Sequence, residues 1–402
     1  MVQDRRLGRA LMLRDTQGVT SSSAVLPIEM VPLLARFTGA STCADIARAL
    51  SGELGETVPV EVVVRLATEL EDALFVDGPP YRKARAAIAQ RFADADVREA
   101  SHAGGAYHGD PTKLRTYIDT DCLGTLPGRE IRNGGPAHGS RLVGLVAPHI
   151  DPWRGARCYG AAYSALAASL PADADTFVLL GTSHAPMKAP FALCRKDFAT
   201  PLGNVIADRD SIDALSAFAE FDPYADQLNH KREHSLEFQA VFLQHLLQKA
   251  GRSGAKIIPI LAGLGENQQS RESPSNAREV GKFLDGVRKI IDAKCAVVIA
   301  GADLAHVGPR FGDPRPFDAG ERSTLDATDR ESLACAEQLD PEAFWEHVAG
   351  DLDERRICGL APMYSLLATI DRSARGVLHH YEQTIDPDEG SIVSHAAMGF
   401  YV

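Results

Sequence analysis

The spacing of apolar residues predicts a small, mostly helical module in residues 1–90. Apolar positions recur at helical intervals through residues 30–55, and Ser41 and Thr42 stand where a second helix could be capped. A third helix is predicted from VEVVVRL to a Gly-Pro-Pro break, and two strand-like segments, RALMLRD and ALFVDG, flank the helices. This order of elements indicates a winged-helix-like module. The alternative is a helical appendage that only packs on the rest of the chain.

From residue 97 onward, runs of apolar residues alternate with segments of helical periodicity. The runs lack the in-and-out alternation of a strand with one wet face, so each is predicted to be a strand buried on both sides. Such strands separated by helices indicate an α/β domain over residues 97–402. The predicted strands are RLVGLVAP, DTFVLLGTSH, AKIIPILAG, CAVVIAGADLAH, GVLHHYEQT and AAMGFYV, and the predicted helices span 158–170, 235–250, 276–293, 322–339 and 358–371.

The composition of the 402-residue chain is that of an ordinary globular protein, with 45% hydrophobic and 24% charged residues. A formal net charge of −12 argues against nonspecific binding to nucleic acid or to an anionic membrane. No segment resembles a transmembrane helix and the N-terminus lacks a signal-peptide core, so we expect a cytoplasmic protein. The seven cysteines include no Cys-x-x-Cys pair, which argues against a disulfide framework and a zinc ribbon.

Histidines follow several of the predicted strands. RLVGLVAP leads into His149, DTFVLLGTSH ends on His184, and CAVVIAGADLAH contains Asp303 and ends on His306. Ligand sites of open α/β sheets lie beyond the carboxyl ends of the strands. A single histidine there is commonly a loop residue bonded to its neighbours, but three on strands of one sheet predict a shared site.

A fourth histidine, His234, lies in the first turn of a predicted helix, HSLEFQAVFLQHLLQKA, whose apolar stripe faces a core. Glu237 follows three residues later on the same face. We predict that His234 points into the site as an acid/base or hydrogen-bonding group. The alternative is that Glu233, His234 and Glu237 only mark a helix start, where acidic side chains interact favourably with the helix dipole.

Histidines combined with a carboxylate, and without a nearby cysteine, are the ligand type expected of Fe(II), Zn or Mn. A neutral imidazole binds metal through one nitrogen and needs its other N–H held by a carboxylate or a carbonyl. Asp151 and Asp303 are placed for that supporting role, and Asp303 is also a candidate for direct coordination. An open position on the metal would then bind substrate, dioxygen or water.

Eight segments support a family resemblance: REASHAGGAYHGDP, APHIDPWRGA, LLGTSHAP, FALCRKDFATPLGNVIAD, REHSLEFQAVFLQ, GADLAHVGPRFGD, ICGLAPMYSLL and SIVSHAAMGF. In this order they resemble the Memo family, and within it the bacterial subgroup called AmmeMemoRadiSam system protein B. The resemblance covers residues 97–402. Residues 1–90 instead resemble, more loosely, the small peptide-carrier domains related to PqqD.

The Memo resemblance implies a fold similar to that of class III extradiol ring-cleaving dioxygenases, with a mixed, largely buried central sheet flanked by helices. In those enzymes two histidines and a carboxylate hold Fe(II) beside an acid/base histidine. By this likeness His149 and His184 are metal ligands, and His234 is the catalytic acid/base residue.

The third metal ligand is the position at which the chain departs from its relatives. Animal Memo proteins have a cysteine there, whereas this sequence has Ala305. Asp303 and His306 flank the position and are the candidates to replace it. We expect a divalent metal, Fe(II) first, with Zn or Cu as alternatives. The subgroup name also implies a radical-SAM protein as a partner.

Three further residues are predicted to bind substrate. Arg154 can bind an anionic group, and the family likeness puts the turn at Thr200 on the rim of the site. Glu237 shares a helix face with His234. The alternatives are a solvated surface position for Arg154 and an ordinary turn between strands at Thr200.

These residues support three functional hypotheses. The first is a metal-dependent, dioxygenase-like oxidoreductase acting on a small-molecule or peptide-borne group. The second is a non-catalytic protein whose cleft captures a metal, a ligand or a peptide for a partner enzyme. The third is a hydrolytic zinc enzyme that uses the same ligands.

Overall fold

The computed structural model describes residues 2–4, 8–15, 18–20, 22–124, 139–264, 272–350 and 354–402. The chain divides into two compact units, Met1–Asp94 and Ala95–Val402, each with an apolar core of its own. Among the described residues, none of the helices has the length and apolarity needed to span a membrane.

The N-terminal unit combines a three-stranded antiparallel sheet with short helices. The second helix begins where it was expected. The Thr42 side chain accepts from the backbone N–H of Asp45, and the Asp45 carboxylate accepts from the backbone N–H of Thr42. The core of the N-terminal unit contains apolar side chains from Leu33 to Leu70. The elements are β1 (Val2–Asp4), β2 (Gly8–Arg14), β3 (Ser23–Pro27), α1 (Val31–Leu34), α2 (Cys43–Leu54), α3 (Val60–Asp72) and α4 (Pro79–Asp94).

The prediction of a strand at ALFVDG in this unit is wrong. Helix α3 ends at Asp72, and Leu74 has a left-handed backbone with a φ of 64°, which a continuous strand does not allow. The prolines expected to end the helical part instead begin α4, since proline is tolerated in the first turn of a helix.

The C-terminal unit is built on a mixed sheet that contains nine strands among the described residues. Its strands, with two short ones that pair separately, are β4 (Val97–Arg98), β5 (Leu142–Ala147), β6 (Thr176–Thr182), β7 (Phe191–Leu193), β8 (Asp197–Phe198), β9 (Ile206–Ala207), β10 (Lys256–Ala262), β11 (Val297–Gly301), β12 (Asp303–Val307), β13 (Arg375–Ile385) and β14 (Ile392–Tyr401). The order is β12-β14-β5-β11-β6-β10-β7, with β13 beside β14 and β9 beside β10. Strands β5, β11, β6 and β10 are parallel, which confirms the expected mixed α/β sheet.

Helices cover both faces of this sheet. Val178 and Leu180 of β6 face one apolar core, whereas Gly181 on the opposite face contacts the start of a helix. The helices are α5 (Pro111–Tyr117), α6 (Pro152–Ser169), α7 (Arg209–Ser216), α8 (His234–Lys249), α9 (Arg278–Lys294), α10 (Ala319–Glu337), α11 (Pro341–Ala349) and α12 (Leu360–Thr369). Three of them, α5, α7 and α11, lie outside the predicted helices.

The segment CAVVIAGADLAH forms two strands and not one. Strand β11 lies among the parallel strands, whereas β12 pairs with β14. The chain leaves β11 at Ala302, whose backbone N–H donates to the carbonyl of Ala147 at 2.8 Å. Asp303 therefore lies just beyond the carboxyl end of β11, and β11 has β5 and β6 as its neighbours.

Two glycines allow α8 to begin directly against the sheet. A Cβ atom at Gly181 would lie 2.6 Å from the Ser235 hydroxyl oxygen, and one at Gly301 would lie 2.3 Å from the Ser235 carbonyl oxygen. Both distances are too short for a side chain to fit without a shift of the helix. The Ser235 hydroxyl also donates to the carbonyl of Thr182 at 2.8 Å. His234, the residue before Ser235, is thereby placed at the carboxyl ends of β6 and β11.

Candidate metal centre

Three histidine side chains meet beyond the carboxyl ends of the parallel strands. His149 follows β5, His184 follows β6 and His234 begins α8. One ring nitrogen of each lies within 4.8 Å of the other two. The ring centroid of His149 is 5.1 Å from that of His184 and 5.4 Å from that of His234, and the last two are 4.5 Å apart. Imidazoles this close can share one metal ion at ordinary bond lengths of about 2.1 Å.

Two of the three imidazoles are held through Nδ1. His149 Nδ1 lies 2.9 Å from the carbonyl oxygen of Gly301, and His184 Nδ1 lies 2.9 Å from a carboxylate oxygen of Glu233. Because both partners only accept hydrogen bonds, Nδ1 carries the proton and Nε2 keeps its lone pair. A histidine binds metal in this state, with its second nitrogen fixed by the protein.

The carboxylate of Glu233 connects β6 to α8. It accepts from the backbone N–H groups of His184 and Ser235, at 2.9 and 3.0 Å, and lies 3.4 Å from His234 Nδ1. Glu233 thus caps α8 and orients His184 at the same time. Burial acts to raise the pKa of this carboxyl, but the neighbouring His184 and His234 outweigh burial and lower the pKa. The carboxylate is therefore ionised.

Asp303 supports His149 from the end of β11. One carboxylate oxygen accepts from the backbone N–H of His149 at 2.8 Å, and the other lies 3.8 Å from His149 Nε2. The side chain is buried. Burial acts to raise its pKa, but His149, His395 and His306 together lower it. A second ionised carboxylate therefore lies beside the three imidazoles.

The imidazoles have different pKa values. Burial lowers the pKa of His149, and it lowers the pKa of His234 to about 3, with the neighbouring imidazoles adding to the effect. Burial also acts to lower the pKa of His184, but the charge of Glu233 outweighs it and the pKa is raised. Imidazole nitrogens beside ionised carboxylates form a setting that suits a divalent cation.

The thiol of Cys358 contacts the same site from the loop before α12. Its Sγ lies 3.1 Å from His149 Nε2, and the backbone N–H of Gly359 donates to the carbonyl of Asp303 at 3.0 Å. Burial, assisted by the charge of Asp303, raises the pKa of this thiol well above its ordinary value. The protonated thiol can donate to His149 Nε2. The sulfur does not belong to the group of three mutually close donor atoms.

Comparison with known proteins identifies the family. A family model described as Memo-like protein matches residues 98–399. The chain belongs to the Memo family. A MEMO1 family protein of Aquifex aeolicus (strain VF5) is 26% identical over 98% of this chain and 96% of its own length. A MEMO1 family protein of Thermus thermophilus is 32% identical over 61% of this chain and 68% of its own length. A third, of Methanosarcina mazei, is 27% identical over 75% of this chain and 98% of its own length.

In this Memo family member, His234 is the third close donor. Asp303 and His306, which were expected to supply the third ligand, lie outside the group of donor atoms within 4.8 Å of one another. His306 Nδ1 lies 3.1 Å from the carbonyl of Leu304, and its ring packs edge-on against Phe311 at 5.1 Å. The geometry gives Asp303 the supporting role, which was the alternative. Direct coordination by Asp303 or His306 stays a prediction that this arrangement does not favour.

Ala305, the position at which the resemblance led us to expect a missing ligand, offers no donor atom. Its methyl group packs with Val307, Leu325 and Ile392 in a small apolar cluster. The thiol that does reach the centre belongs to Cys358, on a different segment.

The predicted substrate residues lie in different environments. Arg154 is exposed on α6 and pairs with Asp151, which caps that helix. Thr200 is buried, and its hydroxyl donates to the carbonyl of Gly203 at 2.7 Å, as in the ordinary turn that was the alternative. For these two residues, contact with substrate stays a prediction.

The Glu237 carboxylate accepts hydrogen bonds from other groups of the protein. This geometry does not favour the prediction that Glu237 binds substrate. Its carboxylate accepts from the Ser101 hydroxyl and the His102 backbone N–H, both at 2.9 Å, and from the Tyr107 hydroxyl at 2.5 Å. It also forms an ion pair with the fully buried Arg98. Both oxygens are engaged, so Glu237 anchors the segment that contains these partners.

Glu233, Cys358 and His102 lie at or beside the centre and are not among the predicted site residues. The ring of His102 is 5.6 Å from that of His234. Glu233 directly precedes the predicted helix, which is the signal that could have marked it as a cap. His102 lies in a motif of the family resemblance, but only the fold brings it to His234.

Proposed function

We propose that this Memo family protein binds one divalent metal ion through His149, His184 and His234 and acts as a metal-dependent oxidoreductase. The observation that carries the proposal is the convergence of three imidazole nitrogens, from three separate elements, within 4.8 Å of one another. We expect Fe(II), with Zn or Cu as alternatives, because imidazole is a ligand that all three metals accept.

Each protein group around the three imidazoles has its own task. The Gly301 carbonyl and the Glu233 carboxylate hold the Nδ1 protons of His149 and His184, and so direct Nε2 toward the metal. The ionised Glu233 and Asp303 offset the charge of the cation in a partly buried site. When bound, the metal would supply Lewis acidity and redox chemistry toward a small-molecule or peptide-borne substrate.

The role of His234 separates two versions of this proposal. The family likeness assigns it to proton transfer, whereas its closeness to His149 and His184 favours metal ligation. As a ligand, His234 should be needed for metal binding. As an acid/base residue, it should be needed only for turnover.

Metal analysis of protein purified without oxygen tests the site. We expect about one equivalent of metal in the wild-type protein and its loss in His149→Ala, His184→Ala and His234→Ala. His347→Ala is the matched control, because His347 lies on α11 and bonds to Ser332. Full metal content in His149→Ala and His184→Ala would contradict the proposed site. Retention in His234→Ala alone would return that residue to proton transfer.

A non-catalytic role is the second candidate. The separate N-terminal unit, with a core of its own, supports a protein that captures a metal or a peptide, and the family resemblance implies a radical-SAM protein as its partner. Oxygen uptake by iron-loaded protein in the presence of a panel of catechols separates the two. Uptake that is lost in His184→Ala supports the enzyme, and absence of uptake with every compound favours the binding role.

A further inference from the structure

We propose that His102 contacts the ligand bound at the metal centre and accepts a hydrogen bond from it. This inference rests on the proposed function, because it needs a metal at the three imidazoles. His102 lies in the motif REASHAGGAYHGDP, and neither the metal-binding group nor its carboxylates involve it.

The position of His102 is at the open side of the centre. Its ring lies 5.6 Å from the ring of His234 and 5.7 Å from that of Phe238. The exposed fraction of the side chain is 27% for His102, 30% for His234 and 38% for His184. Solvent therefore reaches all three imidazoles, whereas His149 is buried. A ligand that enters from solvent toward His184 and His234 passes close to His102.

The orientation of His102 is fixed by Glu237. His102 Nδ1 lies 3.1 Å from a Glu237 carboxylate oxygen, and the His102 backbone N–H donates to the other oxygen at 2.9 Å. Burial acts to raise the pKa of Glu237, but His102 and the Arg98 guanidinium lower it, so the carboxylate is ionised and only accepts. In the neutral imidazole of His102, Nδ1 therefore carries the proton and Nε2 keeps a lone pair.

The segment that carries His102 is anchored on both sides. The Trp153 indole N–H, on α6, donates to the carbonyl of Gly105 at 3.1 Å. The Tyr107 hydroxyl donates to Glu237 on α8. Both anchors are residues of helices that pack on the sheet, so His102 is held in place before a ligand arrives. Ligand binding therefore costs little conformational entropy at His102.

These contacts identify the kind of ligand that His102 would recognise. Among the described residues, no hydrogen bond reaches its Nε2, and a lone pair there accepts from an O–H or N–H group. The centre should thus prefer metal ligands that keep a proton next to the coordinating atom over ligands that have none. A hydroxyl-bearing or amide-bearing substrate satisfies this condition.

Two probes separate the contact from general effects on the metal. Cobalt(II)-loaded full-length protein is titrated with acetohydroxamic acid, which keeps an N–H when it binds metal, and with azide, which has no proton to donate. The visible absorption of cobalt reports binding. His102→Phe keeps a ring against Phe238 and removes both nitrogens, and His102→Gln restores an acceptor. His108→Phe is the control in the same segment, because His108 packs on Trp153 and Tyr117.

We expect His102→Phe to bind cobalt normally and to lose about tenfold in affinity for the hydroxamate, the effect of one hydrogen bond, with azide affinity unchanged. His102→Gln should recover part of the loss, and His108→Phe should behave as the wild type. Equal effects on both probes, no effect on either, or the same loss in His108→Phe would overturn the inference. So would loss of cobalt from His102→Phe alone. Failure of the wild-type protein to bind cobalt overturns the metal site and this inference together.

Discussion

At the scale of single residues, Glu233 determines more of the site than any one of the imidazoles. Its carboxylate caps α8, accepts the backbone N–H of His184 and holds His184 Nδ1. An amide in its place would keep the shape but lose the charge, and its NH2 group would compete as a donor. The proton of His184 could then move to Nε2, and a protonated Nε2 has no lone pair with which to bind metal.

Glu233→Gln should therefore lower metal affinity by roughly ten- to a hundredfold, the usual cost of losing the group that orients a metal-binding histidine. Competitive titration with a chromogenic chelator measures this. Glu331→Gln, which removes an exposed carboxylate from a histidine that binds no metal, is the control. Unchanged metal affinity in Glu233→Gln would show that His184 does not depend on this contact.

Sequence reasoning at the residue scale found the imidazoles that follow strands, because parallel strands must end at one edge of a sheet. It did not find His102, and it assigned Cys358 no role at the metal. His102 meets Glu237 across 135 positions of the chain, and Cys358 meets His149 across 209. Such contacts depend on how loops return over the sheet, which the periodicity of apolar residues does not encode.

At the scale of elements, the approach of α8 to β6 and β11 positions His234 and Glu233. This approach needs the absence of side chains at Gly181 and Gly301. Because α8 starts so close to the strand ends, its first residues lie next to the residues that follow β5 and β6. The packing of α8 against β6 and β11 therefore places His234 beside the other two histidines.

Gly301→Ala should displace the start of α8, because the new Cβ would lie 2.3 Å from the backbone carbonyl oxygen of Ser235. We expect a loss of about 1–3 kcal/mol in the free energy of unfolding, together with weaker metal binding. Gly281→Ala on α9 is the matched control, since nothing lies within 4 Å of its Cβ position. There the helix should gain about 0.5–1 kcal/mol. Urea unfolding measures both variants, and a Gly301→Ala protein as stable as the wild type would contradict the close packing.

Element prediction succeeded for long buried strands and failed where local backbone geometry decides. All six predicted runs form strands of the sheet. Strands buried on both faces, such as β6 and β11, are apolar along their length, whereas β13 is only half-buried. The division of CAVVIAGADLAH into β11 and β12 escaped prediction, since apolar residues continue across the break at Ala302. ALFVDG reads as a strand by composition, but the left-handed backbone at Leu74 prevents it.

At the scale of the whole molecule, the chain divides at Asp94, and all three histidines of the proposed metal centre lie in the C-terminal unit. The first residues of that unit bond within it, since Asp197 donates its backbone N–H to the carbonyl of Asp96 at 3.1 Å. The fragment of residues 95–402 should therefore fold by itself and bind one metal ion with wild-type affinity. An insoluble fragment, or one that binds no metal, would contradict this division.

The stability of that fragment should also depend on pH through His230. This buried imidazole donates to the carbonyl of Ala192, and burial lowers its pKa from 6.5 to about 4. The unfolded chain therefore binds one more proton between these values, so stability falls as the pH is lowered from 6.5 toward 4. Urea unfolding of metal-free protein at several pH values gives the slope of the free energy of unfolding against pH. In His230→Gln this slope should be smaller than in the wild type by up to about 1.4 kcal/mol per pH unit. Identical slopes would mean that His230 protonates freely in the fold.

The most direct test of the account is an anomalous-scattering map from crystals of protein purified without oxygen and loaded with metal. We expect one peak at about 2.1 Å from the Nε2 atoms of His149 and His184 and within bonding distance of a His234 ring nitrogen. No peak among these side chains, or a peak bound by Asp303 and His306 with His234 turned away, would contradict it.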